Sequence, residues 1–154
     1  MDSGRPVLIL EAPLGSDLYR DSLRLREKIL RRPLGLTVSD EELADDTMRQ
    51  HFCAVDCGSV VGTVSLRPLD ETTLHLKQMA VTEPMRSARI GSRLVDHVEQ
   101  WGAAAGFELM IAHARVGAEG FYLKHGYVQE GEAFFEQTIP HVLVRKLLVR
   151  KRLL

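Results

Sequence analysis

The stretch "LHLKQMAVTEPMRSARIGSRLVDHVEQW" (74–101) decides the fold. Its first part, 74–81, is apolar and strand-like. Beyond Ser92, Leu94, Val95, Val98 and Trp101 fall at i, i+1, i+4 and i+7, the stripe of an amphipathic helix that Gly106 stops. A strand, a short turn and a helix N-terminus together can hold an anion, because the first helical N–H groups lack partners and carry partial positive charge. Successive amides of Ala88, Arg89, Ile90, Gly91 and Ser92 can wrap such a group. Gly91 allows close backbone approach, and Arg86 adds charge beside Ser87. Arg89 stands where such turns usually carry glycine. A left-handed backbone there would cost about 1–2 kcal/mol, so Arg89 is expected at ordinary negative φ, its guanidinium reaching a phosphate from outside.

Upstream, "PVLILEA" (6–12) predicts a strand and "SDLYRDSLRLREKILRRPLG" (16–35) a helix. Ser16 is its N-cap, Leu18, Leu23, Leu25, Ile29 and Leu30 supply its apolar side, and Pro33 and Gly35 end it. "SDEELADDTM" (39–48) predicts a short capped helix whose acids form a solvated turn. "HFCAVD" (51–56) and "VVGTVSLRPL" (60–69) flank "CGS", a hairpin signal, and the strand before Thr82 follows as a third antiparallel member. Downstream lie an apolar strand at 107–114, a short helix at 116–126 and two strands within 127–148 around a loop at 137–140. The order β-α-α-β-β-β-α-β-α-β-β predicts an α/β fold with a mixed sheet and helices on both faces.

The 154 residues suit one domain, 1–154, and the composition is 45% apolar and 27% charged with net charge -1. That balance argues against a nucleic-acid partner; the locally basic end, 145–154, is expected to be a solvated strand or tail. No apolar window reaches the roughly 20 residues a membrane span needs, and the N-terminus does not look like a signal peptide. Cys53 and Cys57, if in one straight strand, are about 13 Å apart, beyond the reach of a disulfide. No second pair completes a zinc site, so both are expected to be reduced thiols in a cytoplasmic protein without a metal. No Gly-x-Ser-x-Gly elbow, Walker lysine or His-Glu-x-x-His helix is present.

Two motifs then carry a resemblance. Arg86-Ser-Ala-Arg89-Ile-Gly91 follows the fourth strand, and Phe121-Tyr122-Leu-Lys-His-Gly126-Tyr127 lies on the last helix. Together and in this order they resemble the GCN5-related N-acetyltransferases, over essentially the whole chain. "LRLREKILRRPLG" and "TIPHVLVRKL" resemble a bacterial branch of unassigned substrate. The resemblance implies an acetyl-CoA cosubstrate whose pyrophosphate binds at the turn and whose pantetheine arm pairs with the backbone of Met79, Ala80 and Val81. There the fourth strand would splay from the fifth, and the Val81 N–H would polarise the thioester oxygen. It implies direct transfer of acetyl to a primary amine, on a small molecule or peptide, in a ternary complex. Tyr122, beside Phe121, would be the general acid: a phenol near pKa ~10 can protonate or stabilise a thiolate whose thiol sits near ~8.5. His75, His113, Glu136 and His141 are candidates for the base. His51 and His97 are expected to be structural or on the surface, and His125 to face solvent. The acceptor is expected between 24–45 and 134–141, and the acids there favour a cationic amine. Exposed strand edges would allow a homodimer. The rival function is a non-catalytic acyl-CoA sensor on the same fold.

Overall fold

A computed structural model describes residues 6–149. The elements run β1 (Leu8–Glu11), α1 (Asp17–Arg26), α2 (Asp40–Asp46), β2 (Gln50–Asp56), β3 (Ser59–Pro68), β4 (Thr73–Val81), α3 (Ile90–Ala104), β5 (Leu109–Arg115), α4 (Glu119–Lys124), β6 (Val128–Glu136) and β7 (Ile139–Leu147). This is the expected order. The strands form one seven-stranded mixed sheet, β1-β2-β3-β4-β5-β7-β6. β1 with β2, β2 with β3, β5 with β7 and β6 with β7 are antiparallel, whereas β4 and β5 run parallel from Thr73↔Leu109 to Leu76↔Ala112. The chain forms two compact units. The first runs to Arg67 and takes in Gln78–Val98, the second comprises Pro68–Lys77 and the chain from Glu99 onward. The basic end at 150–154 lies outside the described residues.

In the first unit, α1 starts where Ser16, in extended backbone, accepts the Tyr19 amide on its Oγ at 3.1 Å. Leu18 and Leu23 pack beside Ala12, Tyr19 and Cys53. The helix does not continue as one α-helix to Gly35. A π-helical turn covers Glu27–Arg31, and a 3-10 turn covers Arg32–Leu34 before left-handed Gly35. Pro33 has no amide for the α ladder, so the chain tightens and stops there.

α2 is capped by Ser39, whose Oγ accepts the Glu42 amide at 3.1 Å. Its acids are not simply solvated, and this corrects the expectation. Asp40 and Glu41 are exposed, but Glu42 and Asp46 are buried. Spaced four apart, they share a helix face, and that face meets arginines. Arg26 grips Asp46 through both guanidinium NH groups, at 3.2 and 2.9 Å, and the Tyr19 hydroxyl donates to it at 2.6 Å. Arg31 donates to Glu42 at 2.7 Å. Burial, then the bond to Asp46, pushes the Tyr19 phenol up to about 12. Asp45 is partly buried, which alone would raise its pKa, but hydrogen bonds from Arg49 at 2.6 Å and from Arg67 hold it below the ordinary range. His51 is buried and its ring Nε2 donates to the Asp46 carbonyl at 2.9 Å. Burial holds the His51 pKa down and outweighs the nearby carboxylate.

The β2–β3 hairpin turns on Cys57 and Gly58, at φ 49 and 79, the two left-handed positions of a type I′ turn. Cys53 is buried, Cys57 is exposed, and both are free. α3 lies close over β3: a Cβ on Gly62 would stand 3.0 Å from Ile90 Cγ2 and from Leu94 Cδ1.

The second unit is built around Leu74, Leu76, Met110, Ala112, Val142 and Val144, all buried. α3 ends in a double cap, the Phe107 amide donating to Gly102 at 2.9 Å and that of Gly106 to Ala103 at 3.1 Å. The expected loop at 137–140 is a two-residue turn, with Gln137 and Thr138 at φ 53 and 62. Pro140 instead pairs with Phe135 inside the β6–β7 ladder, so His141 is the third residue of β7 rather than its first.

Asp46→Ala would leave the Arg26 charge buried without its partner. Urea unfolding should show a loss of about 3–5 kcal/mol, against about 1.5–3 kcal/mol for Tyr19→Phe, which deletes one bond to a charged group. The lowered His51 pKa means its contribution is complete above its unfolded pKa near ~6.5 and is lost as pH falls through the folded value. Stability measured from pH 7 to 5 should therefore decline, and His51→Gln should flatten that decline.

Candidate functional site

The groups singled out by sequence fall in the two units. In the first, β4 carries a left-handed residue, Gln78 at φ 62, just before Met79–Val81. Such a residue departs from the extended backbone of the strand around it. The Gln78 side chain is buried and accepts from Ser65 Oγ at 3.1 Å. A polar residue at a break in strand alternation, Lys77 followed by Gln78, is the only signal of this glutamine in the sequence. Ala80 is buried, and Met79 and Val81 are half-buried.

After β4, the Thr82 amide donates to the Val61 carbonyl at 2.8 Å, and a 3-10 turn covers Glu83–Ala88. The side chains of Arg86 and Ser87 lie outside the described residues. Arg89 closes this turn at φ 60, ψ 30. The expectation of negative φ is thus wrong. Only one residue separates the 3-10 turn from α3, and it must redirect the chain between them. Arg89 takes that position, and its carbonyl accepts the Arg93 amide at 3.1 Å, the first bond of the helical ladder. Gly91 sits inside the first turn of α3 instead. Ile90 is buried, Gly91 and Ser92 are half-buried, and Ala88 and Arg89 are exposed. The opening amides of this 15-residue helix have no intrahelical acceptor.

In the second unit, α4 carries Phe121 and Tyr122. The helix ends in the same double cap as α3: the Tyr127 amide donates to the Tyr122 carbonyl at 3.1 Å, and that of Gly126 to Leu123 at 3.1 Å. Gly126 adopts φ 88, where any Cβ would be strained. In this cap the residues at either end of the longer bond pack together. Tyr122 and Tyr127 do so edge-to-face, ring centres 5.5 Å apart. Tyr127 is held in turn by Lys146, whose ammonium lies 5.7 Å from its ring centre and pairs with Glu99 at 2.8 Å. The motif spacing therefore has a local cause: it is the spacing of a helix cap. Burial alone pushes the Tyr122 phenol well above its ordinary value, so it is protonated at neutral pH. His125 does not simply face solvent, because its ring packs 4.9 Å from that of Phe121.

The same unit gathers all four base candidates. His113 on β5 shares its Nδ1 with Glu136 Oε2 of β6 at 3.1 Å, and Lys77 Nζ of β4 lies 3.7 Å from Glu136 Oε1. The His75 ring sits 4.6 Å from that of His113. Phe134 meets His113 edge-on at 5.0 Å and stacks on His141 at 6.1 Å. The His113 hydrogen bond, which outweighs partial burial, and then Lys77 and His141, hold the Glu136 carboxyl down at about 2. Lys77 and Phe134 were not singled out by sequence, since their alternation reads as ordinary strand.

Comparison with known proteins supplies the frame for these two halves. The Acetyltransferase (GNAT) family model matches residues 17–127, from the first residue of α1 to the aromatic that closes the α4 cap. A Bacillus subtilis relative that carries an acetyltransferase name is 30% identical over 128 residues, which cover 81% of this chain and 86% of the relative. Similar folds are found in an N-acetyltransferase structure from Lactobacillus plantarum, 20% identical over 93% of this chain and 99% of that one, with a TM-score of 0.81. A GNAT family acetyltransferase from Elizabethkingia anophelis, solved with acetyl-CoA bound, is 20% identical over 92% and 98%, with a TM-score of 0.70. The chain belongs to the GNAT family of acetyltransferases.

Proposed function

We propose that residues 1–154 act as one N-acetyltransferase domain that moves acetyl from acetyl-CoA directly to a primary amine within a ternary complex. The observation that carries this reading is the junction of β4 with α3. A strand with one left-handed residue, a 3-10 turn and a long helix follow one another, so strand backbone and helix amides lie on one short run of chain. In this reading the amides of Ala88–Ser92 hold the pyrophosphate, with charge from Arg86 and Arg89. Met79, Ala80 and Val81 align the pantetheine arm, and the Val81 N–H stabilises the oxyanion of the tetrahedral intermediate. The amine forms the new C–N bond, the C–S bond breaks, and Tyr122 gives its proton to the departing sulfur. Burial keeps this phenol protonated at pH 7 but also makes it a weaker acid, so it acts as a hydrogen-bond donor to the sulfur and yields its proton only as the C–S bond breaks and negative charge develops there. Buried Cys53 is unsuited to a covalent acetyl intermediate.

Calorimetry with acetyl-CoA, followed by thiol release over a panel of primary amines, tests the reading. Binding with turnover is expected; tight binding with no turnover on any amine would favour a sensor instead. Tyr122→Phe should lower kcat about 10²-fold or more while acetyl-CoA affinity holds, and an unchanged kcat would remove Tyr122 from the chemistry. Arg89→Gly suits the left-handed backbone and deletes the charge. It should keep the melting temperature and weaken acetyl-CoA binding roughly two- to fivefold, an effect that fades in high salt.

A further inference from the structure

The four base candidates do not have equal claims, and their contacts separate them. Glu136 carries a carboxyl held at about 2, which makes it a poor proton acceptor for an amine. His75 is buried on β4 behind the ring of His113. His141 is buried on β7, and its Nδ1 faces the Ile139 carbonyl at 2.8 Å. A carbonyl only accepts, so that nitrogen carries the proton, and a neutral partner does little for an imidazolium. His113 differs from both. Its side chain is 29% exposed, and its Nδ1 meets a carboxylate at 3.1 Å. An ionised carboxylate only accepts, so Nδ1 is the donor, and in the neutral imidazole the lone pair then lies on Nε2. The same carboxylate stabilises the positive charge that appears when Nε2 takes a proton. Lys77 opposes this in part, because its ammonium sits 3.7 Å from the other oxygen of Glu136.

We infer that His113 is the catalytic base of the acetyl transfer, accepting the amine proton at Nε2, and that Glu136 is its positioning residue. The inference rests on the acetyltransferase reading above and adds to it the route of the proton. As the amine nitrogen bonds to the acetyl carbon and the C–S bond breaks, the nitrogen loses one proton to His113 and the sulfur gains one from Tyr122. Transfer from imidazolium to phenolate, through solvent, restores both groups. An acceptor that arrives as an ammonium gives one further proton to bulk water. The groups that face the pair are His75 and Lys77 from β4, Phe134 from β6 and His141 from β7.

The test combines NMR titration of the histidine rings with the pH dependence of kcat/KM, using acetyl-CoA and the best acceptor from the primary-amine panel. His113 should show the Nδ1–H tautomer. Glu136→Gln should move its titration to lower pH, shift the acidic limb of the rate profile by the same amount and lower kcat about tenfold. His113→Gln should remove that limb and lower kcat by about 10²-fold or more, with acetyl-CoA affinity within threefold of wild type as the check on folding. An Nε2–H tautomer in the wild type, a His113 titration indifferent to Glu136→Gln, or a limb that survives His113→Gln with turnover intact would overturn the inference and leave the acetyltransferase reading standing. A wild-type protein that binds no acetyl-CoA would overturn both.

Discussion

Left-handed backbone at three points, Gln78, Arg89 and Gly126, adjoins the segments proposed to bind acetyl-CoA and to carry Tyr122. An L-residue at positive φ crowds its Cβ against the following carbonyl, so most positions exclude it. Where it occurs, the chain changes direction within one residue. At Gln78 it interrupts the extended backbone of β4, at Arg89 it joins a 3-10 turn to α3, and at Gly126 it closes the cap that packs Tyr122 on Tyr127. Only the last position is glycine. The other two keep side chains, at a conformational cost that neighbouring structure must hold in place. For Gln78 the bond from Ser65 and burial within the first unit do this. For Arg89 the following helix does, starting its ladder on the Arg89 carbonyl.

Charge in the two units serves different ends. In the first, Asp46 lies fully buried among Arg26, Tyr19 and His51, and Glu42 meets Arg31. Such pairs contribute little net stability relative to an apolar core, but they tolerate few alternative arrangements. They fix how α1 and α2 meet. In the second unit the charged groups are partly exposed, and the His113–Glu136 pair sits beside aromatic rings and a lysine. Partial exposure leaves a proton exchangeable, which chemistry requires and a structural pair does not.

Much of this was legible along the chain. Strand alternation, helix stripes, Ser16 and Ser39 as caps, and the Cys57–Gly58 turn depend on neighbours within a few residues, and the structure has each of them. The Phe121–Tyr127 motif was legible for the same reason, because a helix cap is local. The failures have the opposite character. The acids of α2 look solvated because the arginines that bury them lie 11 and 20 residues away. Arg89 was expected to avoid strain because its own sequence gives no sign of the abrupt change of axis between the two helical segments.

The sequence by itself determined the element order, the mixed sheet and the family. These follow from periodicity, turn chemistry and short motifs, all set by local sterics and burial pattern. The tertiary structure alone decided which histidine is paired with a carboxylate. His113 and Glu136 are 23 residues apart and come from β5 and β6, strands that each pair with β7. No spacing rule links them, because sheet register, rather than chain distance, brings their side chains within hydrogen-bond reach.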